Sequence, residues 1–102
     1  ESKKMKLKDE FKFLKIDSIR RKNAEEFPAD EQYFYVVNVL DKEDNPVKFS
    51  SFDNKLNSQL MNDIKSGKVK LLQNCLIDFE LIFTNKKDNK WNVTLNNITF
   101  QY

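Results

Sequence analysis

Between Asp53 and Gly67 the chain carries every signal of one helix, and this single helix sets the order into which everything else must fit. Asp53 or Asn54 can cap its start, because a short side-chain oxygen accepts from the free N–H groups of a first turn. Leu56, Leu60, Met61 and Ile64 then fall at i, i+4, i+5 and i+8, one apolar stripe. Lys65 suits the negative end of the helix dipole, and Gly67, the only glycine of the chain, supplies the left-handed stop. The signals agree on a helix over about residues 54–66.

Strand patterns occupy the flanks. Phe11–Arg20 alternates apolar and polar residues and then slips phase, which predicts a strand with a bulge. Residues 21–31 are charged, contain Pro28 and read as a long loop. Tyr33–Leu40 is almost wholly aromatic, β-branched or apolar, the strongest strand signal present. Asp41–Pro46 has turn composition, and Val47–Phe52 follows as the hairpin partner. After the helix come Leu76–Phe83 and Trp91–Phe100, joined by the Lys-rich loop Asn85–Lys90. In the last strand Val93 and Leu95 are in one phase and Ile98 and Phe100 in the other, so a bulge is expected at Asn96-Asn97. Residues 1–10, polar and rich in Lys, read as a flexible basic lead-in, leaving 11–102 as one domain.

Composition narrows the class. With 102 residues, 39% hydrophobic and 13% aromatic, the chain can bury one modest core despite being 33% charged. No run approaches the roughly 18–20 apolar residues that span a bilayer, and the N-terminus does not lead into a signal-peptide core. A lone Cys75 forms no internal disulfide, so a reducing, cytoplasmic setting is expected. The net charge of +2 hides an uneven spread. Residues 1–22 hold nine Lys/Arg against four acids, 23–46 one against seven, and 47–102 eight against five. Such a distribution permits nucleic-acid binding without diagnosing it.

Chemistry of the catalytic kind is not expected. No His and one Cys exclude the usual zinc sites and the Ser-His-Asp and Cys–His arrangements. One glycine excludes phosphate-cradling loops. Asp78 and Glu80 share a strand face, a pair that alternation in a half-exposed strand produces routinely. Cys75 reads as a small buried apolar residue. The chain therefore reads as a non-enzyme without metal or cofactor.

The order β-β-β-α-β-β, five strands with one helix between the third and fourth, is that of an OB fold, an all-β five-stranded barrel. On strand order, loop placement and Lys-rich aromatic strands, residues 11–102 resemble small OB-fold single-stranded DNA-binding proteins of phages and mobile elements. High Lys and Asn with only Arg20 and Arg21 fits an AT-rich coding source. The resemblance implies single-stranded DNA or RNA binding in replication or transfer of such an element. It departs from the housekeeping proteins of this class, which end in an acidic tail. This sequence ends at Thr99-Phe100-Gln101-Tyr102, so tail-based recruitment is not expected.

Aromatic residues interleaved with Lys match the chemistry of unpaired strands, whose bases stack on rings while Lys follows the phosphates. If Val39 pairs with Phe49 and Val37 with Ser51, then Tyr35, Val37, Val39, Val47 and Phe49 face inward. Phe34, Val36, Asn38, Lys48, Ser50 and Phe52 then form the outer face, a stacking platform with polar rungs. The competing reading covers Phe34, Val36 and Phe52 with the helix, the N-terminal segment or a second copy of the chain. A one-residue slip would instead present Tyr33, Tyr35 and Phe49. Trp91 beside the basic loop can stack on a base or close the barrel mouth. Lys86, Lys87 and Lys90, and Arg20, Arg21 and Lys22, can meet phosphates or simply be solvated. A second function class remains: a protein-interaction domain, inhibitor or accessory subunit, that uses the apolar β-face.

Overall fold

The computed structural model describes residues 2–84 and 91–101, with the backbone alone for Ser2, Lys3, Phe83, Thr84, Trp91 and Asn92. Lys86, Lys87 and Lys90 lie outside the described residues or their described side chains. Among the described residues the molecule is mostly β with one α-helix: β1 (Ser2–Arg20), β2 (Tyr33–Leu40), β3 (Pro46–Ser51), α1 (Asn54–Lys65), β4 (Asn74–Thr84) and β5 (Trp91–Phe100). The strands close into a ring in the order β1-β2-β3-β5-β4, with β4 returning to β1. Every junction is antiparallel except β3 to β5, where Ser50 lies opposite Thr94 in parallel.

The longest strand, β1, serves both halves of this ring. Its first part, Ser2 to Lys12, pairs with β4, and its second part, Lys12 to Arg20, pairs with β2. The handover falls at Phe13/Lys15, where the β1–β2 register shifts and Leu14 is the extra residue. A bulge bends and twists a strand, which lets one strand turn from one partner to the next. Phe13 stays tied to the segment before β4: its N–H donates to Gln73 O at 2.9 Å and its carbonyl accepts from Leu72 N at 2.6 Å. This is the phase slip expected in Phe11–Arg20. The lead-in expected at 1–10 is corrected, because Ser2–Glu10 is paired strand. Alternate Met5 and Leu7 face Leu81 and Phe79 across the ladder, an apolar pattern that the intervening lysines obscure in sequence.

The second expected bulge is also present. Asp78 pairs with Asn97 and Phe79 with Leu95, leaving Asn96 over. The helix keeps its expected bounds. Asp53 Oδ1 accepts from Lys55 N at 2.9 Å and Leu56 N at 3.2 Å, and Gly67 takes φ +79° at the end. Leu60 is buried in the core, with Leu56 and Ile64 packed against it. The stripe omits one member: Asn57 is buried too, bonded to Ser51 at the end of β3.

Phe11, Phe13, Val37, Val39, Phe49, Cys75, Ile77, Leu95 and Phe100 line the interior with Leu60 and Val69. Aromatic edges organise it: Phe11 meets Phe49 at 5.2 Å and 74°, and Phe13 meets Phe100 at 5.5 Å and 82°. Such edge-to-face contacts add to the area that the rings bury. Cys75 belongs here as an inert member, its Sγ 3.5 Å from Phe11 O. Burial pushes its thiol up to about 12. Among the described residues no helix is long and apolar enough to cross a membrane.

Candidate nucleic-acid interface

The face is set by the β2–β3 hairpin. Its turn runs from Asp41 to Asn45, where Asp41 Oδ1 accepts from Glu43 N at 2.9 Å and Asn45 N at 2.8 Å. Pairing therefore begins at once with Leu40 opposite Pro46, which puts Val39 opposite Val47 and Val37 opposite Phe49. The register expected from sequence is two residues away from this one. A two-residue shift preserves the side-chain phase, so the two faces keep their expected members. Val37, Val39 and Phe49 are buried inside. Phe34, Val36, Asn38, Lys48, Ser50 and Phe52 share the outer phase.

β1 adds the third column. Three rungs cross the outer face: Lys15–Asn38–Lys48, Asp17–Val36–Ser50, and Ile19–Phe34 with Phe52 just beyond the end of β3. The middle of this surface is closed. Val36 is 9% exposed and Asn38 6%. The Asn38 amide donates to Asp17 Oδ2 at 3.0 Å, so it ties β2 to β1 instead of projecting into solvent. Lys15 Nζ lies 3.6 Å from Asp17 Oδ1. Lys15 is exposed and Asp17 about half so, and a surface pair of this kind is worth about 0–1 kcal/mol, little enough for the lysine to exchange partners. Lys48 is exposed and has no ion-pair partner among the described residues.

One end of the face is aromatic and open. Phe34 and Phe52 stack with centroids 4.9 Å apart and planes at 25°. Phe52 remains 46% exposed and Ile19 41%. The Arg21 guanidinium lies over the same Phe52 ring, 5.2 Å from its centroid, and over Phe27 at 4.7 Å. Phe27 is held there by two 3-10 turns, Ala24–Glu26 and Ala29–Glu31, which give the expected loop a fixed form. Arg21 N donates to Gln32 O at 2.8 Å and closes the base of that loop.

Of the residues singled out from sequence, the structure brings Phe34, Phe52, Asn38, Lys48 and Arg21 to one face. Arg20 is exposed but in the opposite phase from Ile19, at the end of the ladder across from Tyr33. Tyr33 and Tyr35 line a polar cleft with Ser18, Asn54, Asn57 and Ser58, away from the Phe34–Phe52 pair. Sequence reasoning missed Lys15, Asp17 and Ile19 because their phase depends on the Leu14 bulge. It missed Phe27 because an isolated aromatic in a charged loop has no periodicity. Asp78, one of the two paired carboxylates, faces Lys8 Nζ at 3.9 Å.

No protein-family model matches the chain, and no curated protein or solved structure matches it.

Proposed function

We propose that this chain is an OB-like module that binds single-stranded nucleic acid without catalysing a reaction on it. The observation that carries this reading is the Phe34–Phe52 stack, half open to solvent on the outer face of a small closed sheet. A half-exposed ring offers unpaired bases a stacking surface, since each base presents a π-face. Lys48 and Lys15 flank Asn38 two rungs along the same face, and in this reading they follow the phosphates. The ring of five strands with its helix between β3 and β4 supports the OB-like architecture. In this reading Trp91, Lys86 and Lys87 extend the path, and replication or transfer of a phage or mobile element is its setting.

A second reading, a protein-interaction domain, is favoured by a different surface. The interior apolar layer continues along the first half of β1, where Met5 and Leu7 are exposed beside Leu81 and Phe79. Salt separates the two. Labelled oligo-dT titrated by fluorescence anisotropy at two salt concentrations should bind, and more weakly at the higher one, because phosphate contacts release counterions. No binding, or binding indifferent to salt, rejects the nucleic-acid reading.

A further inference from the structure

The Phe52 ring has two stacking partners in the free protein. Phe34 lies nearly parallel to it, and the Arg21 guanidinium lies over it. The first contact joins two strand-borne apolar rings. The second is of another kind. A guanidinium is planar, delocalised and weakly hydrated, and it stacks on an aromatic ring much as a nucleobase does. It is held on its other flank by Phe27, which belongs to the 21–32 loop and not to the sheet.

The Arg21 Nε is buried and has no protein acceptor among the described residues. Buried donors are nearly always satisfied, and an exception calls for a reason. Leaving the ring would return Nε to water and expose the Phe52 face, while the rest of the sheet stays as it is. The neighbouring Phe34 offers no such exchange, since it is half-buried and fixed by its place opposite Ile19.

We propose that the Phe52 face covered by Arg21 is a nucleobase position, and that one unpaired base displaces the guanidinium from it. This deepens the nucleic-acid reading and rests on it. Arg21 is then a competitor for the base and not one of the phosphate contacts, and Phe27 is the residue that holds the competitor in place.

The sign of a substitution tests this. Wild type, Arg21→Ala and Phe27→Leu are titrated with labelled oligo-dT from low salt up to the highest salt at which wild type still binds measurably, and are compared there, where the loss of one charge counts least. Both variants should bind about two- to five-fold tighter, the factor that a cation–π contact at an exposed site represents. Phe27→Leu keeps the arginine and an apolar side chain in the loop, so it carries the test if Arg21→Ala proves unstable. Equal or weaker binding by Phe27→Leu, with wild type binding normally, overturns the proposal. Weaker binding by a folded Arg21→Ala does the same and makes Arg21 a phosphate contact. Failure of all three proteins to bind removes the proposal together with the nucleic-acid reading beneath it.

Discussion

Ser51 and Asn57 hold the end of β3 to the first turns of α1 by two reciprocal bonds: Ser51 Oγ donates to Asn57 Oδ1 at 2.6 Å, and Asn57 Nδ2 donates to Ser51 O at 3.2 Å. Both side chains are buried. Removing one partner strands the other, which costs about 1–3 kcal/mol for a buried polar group. Ser51→Ala should therefore lower unfolding free energy by that amount in a urea titration. An effect under about 0.5 kcal/mol would mean that water replaces the bond freely.

The β2–β3 turn should respond to acid. Asp41 is held below its ordinary value of 3.8 chiefly because the Asn45 backbone N–H donates to its carboxylate, with Glu43 N–H adding to the effect. A lowered folded value means that the support is full above the ordinary value and is lost as pH falls through the lowered one. The Glu43 and Asn45 amide resonances should move together with a midpoint below 3.8. A midpoint at or above that value contradicts the arrangement.

Cys75 should behave as core. Its thiol is raised by burial to about 12 against an ordinary 9.0, so the folded state keeps its proton where the unfolded chain loses it. Stability from this site is intact below pH 9 and declines as pH rises from there toward 12. A thiol reagent at pH 8 should label the native protein only as fast as it opens. Cys75→Ala should show a shallower alkaline loss of stability than wild type. Rapid stoichiometric labelling of the native state would contradict the burial.

Much of the fold was legible in the residues. The helix was readable because cap, stripe and glycine stop are local signals, and β2 because seven of its eight residues are aromatic, β-branched or apolar. The Asn96 bulge was readable from the change of phase between Leu95 and Ile98. The paired strand Ser2–Glu10 was not, since alternate lysines make a half-exposed strand look like a polar tail. At the site, face membership was legible and register was not. The phase of Phe34 and Phe52 survives a two-residue error, whereas the pairing depends on the Asp41 carboxylate closing the turn. The engagement of Asn38 with Asp17 depends on how β1 lies beside β2 after its bulge, which no local pattern encodes.

The core and the platform should separate cleanly under mutation. Phe49, fully buried and in contact with the Phe11 and Phe79 rings, should lose about 3–5 kcal/mol of stability on truncation to Ala. Phe52, on the outer face and 46% exposed, should lose much less. Thermal melts of the two variants side by side check this, and equal losses would place Phe52 in the core.

The most direct measurement is the affinity of Phe52→Ala for labelled oligo-dT, set against wild type under one salt condition with both melting temperatures recorded. The stacking account predicts a loss of about 1–3 kcal/mol, roughly 5- to 150-fold in Kd, with the melting temperature nearly unchanged. Binding equal to wild type by a folded Phe52→Ala protein would contradict it.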